Sequence, residues 1–154
     1  MNAFKDAYQS AVIRNAKSFA RSLKAAGLRV CGDPAIGYTE THQVLVSVGY
    51  GEGAEIAKRL ERNNIIVNYQ ATPDEEGFTA SGALRMGVSE MTRFGFGEKE
   101  FDQLAQLMAA CILRGEDVSE DVSRLRADYT AMRYCFDDRD FEDALEAFAG
   151  KIGF

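Results

Sequence analysis

The sequence predicts an α+β domain: a small mixed or mainly antiparallel sheet with helices packed against it. Three observations predict it. Long segments repeat apolar residues on one helical face. The β-branched runs are few and short. Only one connection, the helix between Val48 and Ile65, reads as a parallel crossover. With 154 residues the chain reads as one small domain. Folding at that length buries roughly 70% of the unfolded surface, and a 46% hydrophobic content can fill such a core.

The first element is a helix over residues 4–26. Tyr8, Val12, Ile13, Ala16, Phe19, Ala20, Leu23 and Ala26 form its stripe, while Arg14, Lys17, Arg21 and Lys24 lie off it. Gly27 stops it, because glycine takes the left-handed conformation without a Cβ clash. Leu28 to Cys31 is a short strand, broken by Gly32-Asp33-Pro34. Val44 to Val48 is a stronger one. A helix over 52–62 ends at Asn63 and Asn64, and Ile65 to Asn68 reads as the next strand. The polar stretch 70–81, with Pro73, Glu75 and Glu76, is a loop, and Ala83 to Met86 a strand leaving it.

Ser89 is placed to cap a brief helical turn. A helix over 98–113 carries Phe101, Leu104, Ala105, Met108, Cys111 and Ile112 inward and ends at Gly115. Asp117 and Glu120 have capping-box spacing ahead of a helix with Val122, Leu125 and Tyr129. Tyr134-Cys135-Phe136 fits helix or strand. A last helix over 139–149 is expected to bury Phe141, Ala144, Leu145 and Phe148, with Gly150 as its cap.

The formal net charge of −6 argues against a general nucleic-acid binder, which needs Lys and Arg to displace phosphate counterions. Cys31, Cys111 and Cys135 form no CxxC pair, so neither a disulfide framework nor a structural zinc site is expected. Reduced thiols in a cytoplasmic protein are the simpler reading. No run approaches the ~20 apolar residues of a membrane span, and no apolar signal segment opens the chain. Met1-Asn2-Ala3-Phe4 runs directly into helix, as expected of an excised domain or a split subunit.

Few residues suit catalysis. His42 is the lone histidine, so a Ser-His-Asp or Cys-His site would have to use it. A local hydrogen-bonding role is the plainer reading. The acids of Asp137-Asp138-Arg139-Asp140 suit a helix start, where they oppose the dipole. Gly49-Tyr50-Gly51-Glu52-Gly53 opens a helix after a strand, a context for anion capture, but it lacks a full phosphate-loop pattern and Glu52 would repel an anion. A tight turn accounts for it. Arg85 is different. It lies inside the apolar strand Ser81-Gly82-Ala83-Leu84-Arg85-Met86-Gly87. Alternation lets Leu84 and Met86 face the core while Arg85 faces a cleft. A guanidinium there can grip a carboxylate with two parallel hydrogen bonds. The competing reading pairs Arg85 with an acid such as Glu90, and spacing alone divides the two evenly.

Five segments together resemble one family. Tyr8-Gln9-Ser10-Ala11-Val12-Ile13-Arg14-Asn15-Ala16-Lys17 is similar to the helix that opens the small domain of serine hydroxymethyltransferases. Thr39-Glu40-Thr41-His42-Gln43-Val44-Leu45-Val46 resembles their following strand. Val67-Asn68 with Thr72-Pro73, then Ser81 to Gly87, then Thr92-Arg93-Phe94-Gly95-Phe96, resemble their loop, SGxRxG strand and TxRGF turn. The resemblance covers residues 4–113, leaving 114–154 as a helical C-terminal extension.

The resemblance implies the C-terminal domain of a fold-type I pyridoxal-phosphate enzyme. Arg85 falls where the family holds the substrate amino acid's carboxylate, so the resemblance implies substrate binding for it. It also implies a large domain, elsewhere, that holds pyridoxal phosphate and its lysine. None of Lys5, Lys17, Lys24, Lys58, Lys99 and Lys151 has the Thr- and His-rich context of that lysine. The chain alone is therefore expected to be inactive in serine–glycine one-carbon transfer. A homo-oligomer and an amino-acid substrate are implied, with tetrahydrofolate as an open further cofactor. Thr41 and Tyr69 stand where the family has asparagine and lysine, so a related β-hydroxy amino acid aldolase or transaldolase stays open. A standalone amino-acid-binding or protein-interaction module is the other alternative.

Overall fold

The computed structural model describes residues 4–72, 75 and 80–152. Helix α1 (Lys5–Ala25) leads into β1 (Arg29–Val30), a 3₁₀ turn at Pro34–Ile36, and β2 (Gln43–Ser47). Helix α2 (Gly53–Arg62), β3 (Asn68–Gln70) and β4 (Ala83–Gly87) follow. Then come α3 (Ser89–Arg93), α4 (Glu98–Ala109) with a wider π turn at Ala110–Arg114, α5 (Ser119–Ala127) and α6 (Asp138–Ile152). The α+β class is as expected.

The four strands lie in the order β1-β2-β4-β3, and every neighbouring pair is antiparallel. Strands β2 and β3 therefore run the same way with β4 between them. The crossover through α2 is a split βαβ unit rather than a parallel pair. Pleat alternation sends Val44 and Val46 of β2, and Leu84 and Met86 of β4, to one face, where all four are buried. Helices α1, α2 and α4 supply Phe19, Leu23, Leu60, Phe101 and Met108 to the same core.

The turn into α2 shows why its glycines serve closure, not anion capture. The Gly53 N–H, which could have met a phosphate, donates to Ser81 O at 2.6 Å. A Cβ on Gly53 would lie 2.2 Å from that same oxygen. Only glycine lets α2 start this close to β4.

Several expectations shift. The strand expected at Ile65 to Asn68 pairs only at Asn68–Gln70. Asn64 ends α2 with a φ of 63°, and Ile65 N returns to Leu60 O at 2.9 Å. That closure tucks Ile65 inside and leaves Ile66 87% exposed. Ser89 does not cap: it is already the first residue of α3, and its carbonyl accepts the Tyr8 hydroxyl at 2.9 Å. Val118 occupies the N-cap of α5, while Asp117 Oδ1 accepts the Ser119 N–H and hydroxyl at 3.0 and 2.7 Å. Tyr129 lies beyond the helix end. Of the 70–81 loop, Pro73 and Glu76 fall outside the described residues.

The largest correction is at the C-terminus. Phe141, Leu145 and Phe148 of α6 are not buried but 66%, 55% and 60% exposed. Gly150 lies inside the helix rather than at its end. Periodicity reports a one-sided helix; it does not report what lies against that side.

Candidate functional site

Arg85 sits at the centre of the sheet's length, paired across β4 with Leu45 on one side and Asn68 on the other. Its strand neighbours Leu84 and Met86 point into the core, and Arg85 itself is half-buried. Asn68 is exposed beside it. The two readings left by the sequence can now be compared. Among the described residues the Arg85 guanidinium makes no ion pair or hydrogen bond, and Glu90 does not reach it. A cleft of about 390 Å³ brings Arg85 together with Asn68, Glu90 and Arg126 among apolar side chains that include Ile66 and Leu125. An arginine held by a paired strand, with its donors unspent, is arranged to receive a planar anion.

One acid close in sequence is engaged elsewhere. Glu75 Oε2 accepts the backbone N–H groups of Thr72 at 2.7 Å and Gly82 at 2.9 Å. The Thr72 N–H, with help from Gly82, holds the carboxyl below the usual carboxylate range. A side chain on Gly82 would collide with it, since a Cβ there lies 2.1 Å from Oε1. This bracket anchors the strand that carries Arg85. The sequence offered one cue, the glycine of the SGxxR pattern, but the acidic stretch read only as a polar loop.

The other resembling segments gather along α1. Asn15 is buried and donates through Nδ2 to Thr92 Oγ1 at 3.0 Å and to Phe96 O at 2.9 Å. Tyr8 ties α1 to Ser89. His42 is exposed: its carbonyl accepts the Val88 N–H at 3.0 Å, while its imidazole makes no hydrogen bond among the described residues. The preceding threonines shape the approach to β2, with Thr41 Oγ1 accepting the Gln43 N–H at 3.1 Å.

The cleft does not fit pyridoxal phosphate as a resident group. A Schiff base needs a lysine aimed at the cofactor's carbonyl carbon, and no lysine lines this cleft. Lys17, the least exposed of the six, lays its stem beside Gly37. No group of three or more His, Cys, Asp or Glu among the described residues could hold a metal ion. No helix among them is long and apolar enough to cross a membrane.

Residues 1–108 match the family described as serine hydroxymethyltransferase. The serine hydroxymethyltransferase of Pyrobaculum islandicum is 39% identical over 150 residues, covering 94% of this chain and 34% of that protein. That of Korarchaeum cryptofilum is 40% identical over 146 residues, covering 90% and 33%. The chain thus spans about a third of the length of the curated relatives it matches. The crystal structure of L-threonine transaldolase from Pseudomonas fluorescens, in its internal aldimine state, superposes with a TM-score of 0.82 at 28% identity. It covers 97% of this chain and 34% of that one.

Proposed function

Because this chain belongs to the serine hydroxymethyltransferase family, we propose that it serves as the C-terminal small domain of a pyridoxal-phosphate enzyme and binds the substrate's carboxylate through Arg85. The observation that carries this reading is half-buried Arg85, whose backbone is held in register between Leu45 and Asn68 and whose side chain has no acid partner among the described residues. A large domain, on another stretch of polypeptide, holds the cofactor and its lysine. That cofactor supplies an electron sink for breaking a bond at the substrate's Cα. This chain's part is orientation: two parallel N–H···O bonds fix the amino acid's carboxylate, and the Glu75 bracket keeps β4 in place while they form.

The reaction proposed is serine–glycine one-carbon transfer, with tetrahydrofolate as carbon carrier, in a cytoplasmic homo-oligomer. The transaldolase superposition supports a second reading, transfer on a β-hydroxy amino acid by the same small domain.

The test is calorimetric titration of glycine and serine into the chain assembled with its cofactor-binding domain. Losing a charge-assisted pair worth roughly 1.5–3 kcal/mol predicts about 10- to 100-fold weaker binding in Arg85→Ala. Unchanged affinity would remove the assigned role. Turnover by the pure chain would overturn the division of labour.

A further inference from the structure

Arg85 alone cannot tell an amino acid from any other carboxylate, because its fork reads only the planar anion. The cleft around it carries a second unspent charge. Of the residues that line this cleft, only Arg85, Glu90 and Arg126 are charged. Arg126 is engaged: its guanidinium lies 4.6 Å from the centroid of the Phe94 ring, and its Nη1 donates to the Tyr129 carbonyl. The Glu90 carboxylate makes no ion pair or hydrogen bond among the described residues. One cation and one anion are thus left over in a single cleft.

The backbone keeps these two charges apart. Arg85 is held in β4 by its register with Leu45 and Asn68. Glu90 rides on α3, which is tied down around it. The Val88 N–H donates to His42 O at 3.0 Å, Ser89 O accepts the Tyr8 hydroxyl at 2.9 Å, and Thr92 Oγ1 accepts from Asn15 Nδ2 at 3.0 Å. Opposite charges that the frame prevents from closing on each other leave room for a ligand that carries both signs. Met91, Leu104 and Leu125 supply apolar walls beside them. Such walls weaken dielectric screening and strengthen an ion pair formed there.

We infer that Glu90 holds the ammonium of the incoming amino acid while Arg85 holds its carboxylate, so that the zwitterion is captured at both ends before its amine reaches the cofactor. This inference rests on the carboxylate-binding reading of Arg85. It adds to that reading the group that selects amino acids over carboxylates lacking the amine. The Glu90 oxygens accept N–H groups of the ammonium. A ligand with carbon in place of that nitrogen leaves the acid unpaired, and the lost bond rejects it. Arg126, spent on Phe94 and Tyr129, does not compete for Glu90.

The probes are dimethylglycine and isovalerate, which share one shape and one carboxylate. Only dimethylglycine carries an ammonium, and its tertiary amine does not condense with the cofactor. Each is titrated calorimetrically into the chain assembled with its cofactor-binding domain. The wild type is expected to prefer dimethylglycine by roughly tenfold, the worth of one charge-assisted hydrogen bond. Glu90→Gln keeps the shape of the side chain and should bring the two affinities together by weakening dimethylglycine alone. Arg85→Ala should weaken both probes. A wild type with no preference, or a Glu90→Gln protein that keeps it, would overturn the role of Glu90 and leave that of Arg85 standing. If Arg85→Ala weakens neither probe, the carboxylate reading fails and this inference falls with it.

Discussion

Asn15 and Thr92 lie 77 positions apart and meet through a buried hydrogen bond of 3.0 Å, with the same Asn15 amide also donating to Phe96 O. The asparagine of the opening helix and the threonine of the TRFGF turn thus form one clamp. It ties α1 to the segment that follows β4, and so holds the end of the strand that bears Arg85. Both side chains are 2% exposed.

Replacing Asn15 with leucine would leave the Thr92 hydroxyl and the Phe96 carbonyl without their partner in an apolar setting. Each stranded buried polar group costs roughly 1–3 kcal/mol. Urea denaturation is expected to show a loss within that range or above it. A loss under half the lower figure would mean the clamp is not structural.

Glu75 makes stability depend on pH. Its folded pKa is depressed, by the Thr72 N–H foremost. Its contribution is therefore complete above the ordinary carboxylate range and is lost as pH falls through the lowered value. The stability gap between wild type and Glu75→Gln should shrink as pH is taken from neutral to below that range. A gap that stays constant with pH would show that the carboxylate does not carry it.

Arg85→Ala is expected to leave folding stability within about 0.5 kcal/mol of wild type, since the guanidinium makes no hydrogen bond or ion pair among the described residues. Thermal unfolding beside the binding titration separates the two roles. A large drop in stability would identify Arg85 as structural. Arg85→Lys keeps the charge but not the fork, so it should also fold with unchanged stability while failing to recover most of the affinity.

Phe101 contacts Phe19 at 5.2 Å and Phe96 at 5.6 Å between ring centroids, and is 2% exposed. Phe101→Ala should cost about 3–5 kcal/mol by removing burial and leaving a cavity between α1 and α4. Equilibrium denaturation reads this directly, and a cost near that of a surface substitution would contradict the assigned core.

Much of the fold was legible because its signals are local. Helix α1 ends one residue before its expected limit, and Gly115 closes the π turn with a φ of 68°. The facing of Arg85 followed from pleat alternation against Leu84 and Met86. The Ile65 strand was misplaced because a β-branched run looks alike whether it pairs or only crosses the surface, and here α2's closing turn decided between them. The Glu75 bracket and the Asn15 clamp were not visible, because each bond joins groups whose meeting depends on how distant or looping backbone is folded.

The sequence by itself determined the element types, the family and the arginine worth watching, because periodicity, glycine placement and motif order are properties of neighbouring residues. Tertiary structure alone decided three things: that Arg85 is left without an acid partner among the described residues, that β2 and β3 are separated by β4, and that the α6 stripe faces outward. The physical reason is the same each time. A side chain's partner is set by what packing brings within bonding distance, and the strength of a hydrogen bond or apolar contact falls away within a few ångströms, whatever the separation along the chain.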